Sequence, residues 1–365
     1  MNKMEKNKIG IGMLGGWQSH AARFGQLIVA DGKLQGDNFR HWKTAEYGDC
    51  YIVAAWDDDK ERGKALAEVC GCPFEADLDM FLANPKIDAV IVCSQTVQHA
   101  EHIVRAANAG KHIFVEKAPF ATVEGAYLAR EAVKRNKVHF MVSSPMDKPR
   151  NRFALELMQK GKLGEITEVR FRLSNDGILE QNEPLGIYNK KENGGGAMLD
   201  YGQHGVHITS WFLGRPTRCS AHFDKVSDFA KKYDTEDNAV AVYEFEKGGI
   251  GVVETGWAAP GHECILDVCG TKGTVHIIGD DVTYFEDGTK DVHDTITYAT
   301  GGNWIQVGEK DLPEKLHYPL RYWLNSIIND TPDDRQNIEE AVLWTEMLEA
   351  AYRAAESGEV VTPWR

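Results

Sequence analysis

Long apolar runs are missing from this sequence. No stretch approaches the roughly 18 consecutive apolar residues that a membrane-spanning helix needs. The apolar segment Ile9–Leu14 is too short for a signal-peptide core, and glycines follow it at once. These absences predict a cytoplasmic chain. Cysteine is sparse: the seven are Cys50, Cys70, Cys72, Cys93, Cys219, Cys264 and Cys269, odd in number and scattered. Only Cys70 and Cys72 lie close, and C-x-C lacks the C-x-x-C spacing usual for zinc. They read as reduced thiols with packing roles. Positive charge is also short, with 41 Lys and Arg against 55 Asp and Glu, a net of −14. That balance argues against nucleic acid and against anionic membrane surfaces as partners.

What is present is an ordinary globular mixture, 42% apolar and 26% charged over 365 residues. Such a length predicts two domains, each able to bury a full core. Up to residue 142, short apolar runs alternate with helical segments. Strands are expected at Ile9–Leu14, Tyr51–Trp56, Asp88–Cys93, Ile113–Val115 and Val138–Val142. Helices are expected at Lys60–Val69, His99–Ala109 and Val123–Arg135. Apolar strands without polar alternation, separated by helices, imply a parallel, doubly wound sheet buried on both faces.

The pattern then changes. Ile166–Leu173 alternates polar and apolar residues, as a strand with one solvated or subunit-facing side does. Ala239–Phe245, Ile250–Gly256, Cys264–Cys269 and Thr274–Ile278 are further strands, parted by glycine turns at hairpin spacing, which implies antiparallel pairing. Met198–Phe212 reads as one helix, and Gln336–Glu356 as a long amphipathic helix. The expected fold class is therefore α/β plus α+β: a parallel-sheet domain over 1–145, a second domain on a mostly antiparallel sheet over 146–335, and a C-terminal helix and tail over 336–365.

Four places carry chemistry. The first turn, Gly15-Gly16-Trp17-Gln18, lacks the strict G-x-G-x-x-G, yet its glycines allow the backbone to approach a pyrophosphate. The same glycines also describe a plain tight turn. Asp57, at the end of the second strand, can take the ribose hydroxyls of an adenosine. It stands well beyond the roughly 20-residue spacing usual for that role, so Asp31–Cys50 reads as an insertion before the second strand. Asp58 and Asp59 follow with no arginine at the next position. A 2′-phosphate would meet three carboxylates, so NAD is expected over NADP. The blander reading of Asp57 or Asp59 is a cap on the next helix, and both roles can hold together.

The third place is Glu116-Lys117, ending a strand where parallel sheets present their ligand crevice. A half-desolvated lysine there can hold a substrate oxygen, although most lysines are merely solvated. The fourth is Gly194-Gly195-Gly196 followed by Asp200 and His204 at i, i+4 on one helix face. A carboxylate beside an imidazole makes a general-base pair for a hydroxyl. The same spacing describes a core ion pair. A metal site with His207 is a third reading, but no second carboxylate or cysteine motif supports it. No metal is expected. Trp17, Tyr188, Trp257 and Trp304 are aromatics of the kind that stack on sugar rings, or that fill cores and interfaces.

Together these segments resemble the Gfo/Idh/MocA family, which includes glucose–fructose oxidoreductase, inositol dehydrogenase and many sugar dehydrogenases. Ala54–Glu68 looks like its second strand, acid and following helix. Ile87–Glu101 is similar to its D-A-V-x-x-x-T-P-x-x-x-H segment, with Ser94, Gln95 and His99 in those places. Ala109–Lys117 is close to A-G-K-H-V-x-x-E-K-P, although Ala118 displaces the proline to Pro119. Gly194–His204 matches G-G-G-x-x-x-D-x-G-x-H position by position. His207 stands where the family often has Asp.

The resemblance implies a Rossmann domain joined to a large, mostly antiparallel sheet. It implies that Gly15, Gly16, Trp17, Gln18, Asp57, Ser94, Gln95, His99, Glu116 and Lys117 bind NAD. Lys117 would bind the reacting hydroxyl, His204 would take its proton, and Asp200 would orient both. The nicotinamide would accept the hydride, and the substrate, a small carbohydrate or glycoside, would sit between the domains. A homo-oligomer, dimer, tetramer or higher, would form through the C-terminal sheet. The expected reaction is NAD-dependent oxidation of a secondary hydroxyl of a sugar, cyclitol or glycoside. The rivals are redox-assisted glycoside cleavage with transiently reduced NAD, and a non-catalytic NAD-binding sugar sensor, which would not need the Lys117, Asp200 and His204 set.

Overall fold

The structure, a computed structural model, describes residues 8–32, 39–179, 186–261, 263–286 and 303–363. The chain packs as two units. The first runs to Pro145 and adds the stretch ending at Gly194 and Leu316–Thr345. The second holds the stretch beginning at Met146, then Gly195–Lys315 and the residues from Glu346 on. The division is thus interleaved in sequence, with two late segments returning to the first unit. Part of the expected Asp31–Cys50 insertion, residues 33–38, lies outside the described residues.

In the first unit the elements run β1 (Ile9–Leu14), α1 (His20–Val29), β2 (Cys50–Trp56), α2 (Lys60–Cys70), α3 (Leu78–Ala83), β3 (Ala89–Val92), α4 (His99–Asn108), β4 (His112–Glu116), α5 (Val123–Asn136) and β5 (Phe140–Ser143). The strands form one parallel sheet in the order β2-β1-β3-β4-β5. Ala89–Val92 is completely buried, as an apolar strand covered on both faces must be. Local signals set the helix ends. Asp59 caps α2 by accepting the N–H groups of Glu61 and Arg62, and Gly71 ends it in the left-handed region. Thr122 caps α5 through the Gly125 N–H.

Beyond β5 the chain continues through α6 (Pro149–Gln159), β6 (Ile166–Ser174), α7 (Lys190–Asn193), α8 (Ala197–Asp200), α9 (Gly202–Leu213), β7 (Pro216–Asp224), α10 (Asp228–Lys232), β8 (Asn238–Phe245), β9 (Ile250–Gly256), β10 (Glu263–Gly270), β11 (Gly273–Ile278), β12 (Asp281–Glu286), β13 (Asn303–Gln306), α11 (Pro319–Asn329) and α12 (Ile338–Ser357). Among the described residues the second unit's sheet has eight strands in the order β13-β12-β11-β10-β6-β9-β8-β7. Its pairs are antiparallel except β6 with β9. Phe171 and Val253 meet α9 at Gly205 on one face. By strand alternation Arg170, Arg172, Glu254 and Ile250 point to the other, together with Trp304.

The first core gathers Ile11, Met13, Phe24 and Phe114 with Leu320, Trp323 and Leu324 of α11. The second gathers Val169, Phe171 and Ile208 with Leu266, Val275 and Val282. One expectation changes. Met198–Phe212 is not a single helix but breaks at Tyr201, into α8 and α9. His204 N–H reaches Tyr201 O at 3.1 Å, a tighter turn than the α-helical bond to Asp200 would give.

Candidate active site

The loops after β1, β2, β3 and β4 all leave the same edge of the parallel sheet. The first is tight because Gly15 has φ +95°, and a Cβ there would lie 2.4 Å from Ser94 N. Its amides are ordered by the protein itself. Gly15 N–H donates to Trp56 O at 2.8 Å, and Gly16 N–H to Asp57 Oδ2 at 2.6 Å. Trp17 and Gln18 N–H both reach Cys93 O. The helix that follows, α1, has no side-chain cap and no acidic residue in its first turn. An uncapped N-terminus of that kind suits an anionic pyrophosphate.

Trp17 is half-buried and donates its indole Nε1–H to Glu192 at 2.7 Å. Thr96 donates to Asn193 Oδ1 at 2.8 Å. The stretch 186–194 therefore packs onto the loops after β1 and β3. The motif segments did not announce this contact, because its partners lie far apart in the chain.

Asp57 is buried at the end of β2. Arg62 Nη2 donates to its Oδ1 at 2.7 Å and to Asp58 Oδ1 at 2.8 Å. Burial pushes the Asp57 carboxyl up, Arg62 opposes this, and the hydrogen bond with Asp58 reinforces it. No arginine follows directly on the three aspartates. The structure brings one from the first turn of α2, five residues after Asp57, where helical geometry folds it back over both acids. Asp58 is also held by Gln98 Nε2 at 2.9 Å. Both carboxylates stand directly after β2, at the edge of the parallel sheet that the loop after β1 also leaves.

Lys117 follows directly on β4 and is 7% exposed. Its neighbour Glu116 is fully buried, with Oε1 2.8 Å from His20 Nδ1. The Lys117–Ala118 peptide is cis. His99 is enclosed and acts on the main chain: Nδ1 lies 3.0 Å from Ala118 O and Nε2 lies 3.1 Å from Ser94 O. It therefore ties the loop after Lys117 to the end of β3. Ser94 Oγ bonds His102 Nδ1 at 2.8 Å, and Gln95 is half-buried beside it.

In the second unit Asp200 ends α8 and His204 lies in the first turn of α9, both almost buried. The break at Tyr201 replaces the continuous-helix relation expected between them. Asn175 Nδ2 donates to the Tyr201 hydroxyl at this break. His207 is fully enclosed, edge-on to Trp211 at 4.9 Å, and burial pushes its imidazole down to about 3. Among the described residues no group of His, Cys, Asp and Glu is arranged to hold a metal. Of the aromatics, Trp257 and Tyr188 are buried and Trp304 is half exposed on the sheet. No described helix is long and apolar enough to cross a membrane.

A parallel sheet with nucleotide-type loops, joined in one chain to a large antiparallel sheet, defines a Rossmann oxidoreductase architecture. Residues 24–144 match the model of the oxidoreductase family with an NAD-binding Rossmann fold, and 152–276 match the Gfo/Idh/MocA C-terminal domain. The chain belongs to the Gfo/Idh/MocA family of oxidoreductases. It is 32% identical over 250 residues to D-glucoside 3-dehydrogenase of Escherichia coli, covering 61% of this chain and 68% of that protein. It is 29% identical over 231 residues to scyllo-inositol 2-dehydrogenase (NAD(+)) of Bacillus subtilis, covering 62% of this chain and 66% of that protein. The matches thus span about two thirds of these relatives. A levoglucosan dehydrogenase solved with NADH and levoglucosan shares the fold, with TM-score 0.78, 18% identity, and coverage of 98% of this chain and all of that one.

Proposed function

We propose that this chain oxidises a secondary hydroxyl of a sugar, cyclitol or glycoside, with NAD as hydride acceptor in preference to NADP. The observation that carries the reading is the common edge of the parallel sheet. The Gly15–Gln18 turn, Asp57, Ser94–Gln95 and Glu116–Lys117 all lie at or just beyond the ends of strands on that edge, where doubly wound sheets bind ligands. The uncapped N-terminus of α1 receives the pyrophosphate, and Asp57 with Asp58 takes the ribose hydroxyls. Acids at that place repel a 2′-phosphate, which favours NAD. His99 acts by holding the Lys117 loop rather than by touching the nucleotide.

NAD, when bound, supplies the hydride acceptor. Lys117 binds the reacting hydroxyl and stabilises the oxygen as its proton leaves. His204 takes that proton, and Asp200 orients the imidazole. The substrate class is supported by what the relatives' names say they oxidise, an inositol and a glucoside. The open sheet face with Arg170, Arg172, Glu254 and the half-exposed Ile250 and Trp304 is proposed as the surface on which copies of the chain associate. Light scattering on the purified protein and a Trp304→Asp variant tests this.

The test of the activity is a polyol and glycoside panel with NAD and with NADP, followed at the NADH absorbance. NAD reduction by at least one member, faster than NADP reduction, is expected. A glycoside cleaved with no NADH accumulating would replace dehydrogenation by redox-assisted cleavage. No reaction with any member would remove the substrate class.

A further inference from the structure

The glycines that precede Asp200 are packed against a buried acid. Glu236 lies in the turn before β8 and is 4% exposed. Its Oε1 accepts the Gly196 N–H at 2.9 Å, the Met198 N–H at 3.1 Å and the hydroxyl of Tyr352, from α12, at 2.5 Å. Its main-chain carbonyl accepts the Ala197 N–H at 2.9 Å. Gly196 N–H also lies 3.0 Å from the Tyr352 oxygen. The first amides of α8, which no side chain at its own N-cap receives, are therefore gathered by one residue distant in the chain.

The glycines follow from this arrangement. A Cβ on Gly196 would stand 2.2 Å from Glu236 O and 2.7 Å from its carboxyl carbon. A Cβ on Gly195 would stand 2.1 Å from the Tyr352 hydroxyl. Side chains at either position would evict the acid or the phenol. The neighbouring acid does something else: the Asp237 carboxylate accepts the N–H groups of Val226 and Ser227, both at 2.8 Å.

We propose that Glu236, held by Tyr352, is a positioning residue for the proton-handling pair Asp200 and His204. The proposal rests on the reading of that pair given above. A helix of a single turn has little stability of its own, so its pose follows whatever satisfies its N-terminal amides. Here that is a buried carboxyl group. When ionised it makes the stronger, charge-assisted kind of hydrogen bond and complements the positive end of the helix. Asp200 closes that turn, with its N–H 3.0 Å from Gly196 O. The Tyr201 break then hands the pose on to His204 through the Tyr201 carbonyl. Burial pushes the Glu236 carboxyl up, while Tyr352 and the backbone amides oppose it. Among the described residues Tyr352 is the titratable side chain that bonds the Glu236 carboxyl group, and burial pushes that phenol up as well.

The test uses the full chain and the best substrate of the panel. Glu236→Gln, Glu236→Ala and Tyr352→Phe are compared with His204→Ala and Asp200→Asn. For each, kcat, KM, the pH profile of kcat, NAD affinity by fluorescence titration and thermal unfolding are measured. Glu236→Ala is expected to lower kcat about tenfold or more and to displace the pH profile, with NAD affinity within about twofold. Glu236→Gln, which still offers a carbonyl acceptor, is expected to recover part of the rate. Tyr352→Phe is expected to remain folded and to lose a severalfold share of kcat. Should Glu236→Ala not fold, the other two variants decide. Folded Glu236→Gln and Tyr352→Phe with unchanged kcat and pH profile, beside an inactive His204→Ala, would overturn the proposal alone. Full activity in His204→Ala would overturn the proton-handling reading and this proposal with it.

Discussion

His20 Nδ1 lies 2.8 Å from Oε1 of Glu116, joining the first turn of α1 to the carboxylate beside Lys117. Burial pushes the Glu116 carboxyl up, but His20, Lys117 and Ser143 outweigh it and hold it below the usual 4.5. A carboxyl depressed on folding contributes stability above its ordinary value, and that contribution is lost as the pH falls below 4.5. His20→Ala is expected to lower stability at neutral pH by about 1–3 kcal/mol and to make the acid limb shallower. Urea unfolding at neutral and acid pH measures both. Identical stability curves for the variant and the wild type would sink the pairing.

Asp57→Asn tests the adenosine end. The variant keeps the shape but loses the charge that Gly16 N–H and Arg62 meet. NAD affinity is expected to fall about tenfold or more, equivalent to about 1.4 kcal/mol per factor of ten. The ratio of kcat/KM for NADP over NAD is expected to rise, since a repelling charge has gone. Fluorescence titration with both nucleotides reads the outcome, and unchanged NAD binding would remove Asp57 from the nucleotide site.

Lys117→Met separates chemistry from nucleotide binding. The methionine fills the same buried volume without the ammonium. Turnover is expected to fall by at least about a thousandfold, the scale of losing a group that stabilises developing charge. NAD affinity is expected to stay within severalfold. Turnover at the wild-type rate would take the lysine out of the mechanism.

His207 gives a pH prediction independent of catalysis. Burial pushes its imidazole down to about 3, so it is neutral in the folded chain at neutral pH. The unfolded chain takes up a proton there near 6.5. Unfolding therefore binds a proton as the pH falls from 6.5 toward 3, and stability declines over that window. His207→Leu is expected to flatten the slope of stability against pH there by up to one proton. A slope equal to that of the wild type, measured by urea titration at several pH values, would show that His207 titrates alike in both states.

The parallel sheet was legible in the sequence because buried strands such as Ala89–Val92 are uninterrupted apolar runs. Their flanking helices stop at residues with a physical reason to stop them, such as Gly71. The edge that carries Gly15, Asp57 and Lys117 follows from that alternation alone. Other features were not legible, because their causes are distant in the chain. The Asp200–His204 spacing implied one continuous helix, and nothing local marked the break at Tyr201. Glu236 meets Gly196 across 40 positions and Tyr352 across 116. Arg62 was missed for a different reason: it lies near Asp57 in sequence, but only a helical turn folds it back. Helix α11 shows the same limit, since its apolar face matches a core built from residues between Ile9 and Met141, far earlier in the chain.

That last packing has a consequence for biosynthesis. Trp323 is fully buried against Phe114, with ring centroids 5.5 Å apart, and Leu320 and Leu324 flank it. When the ribosome has made all five strands of the first sheet, the side chains that close this core do not yet exist. The nascent sheet must wait, with apolar surface open to solvent or to chaperones, while the whole second unit's sheet is synthesised. Folding of the first unit can finish only once α11 has been synthesised, so a fragment ending at Pro145 is expected to be incomplete rather than a separable nucleotide-binding module.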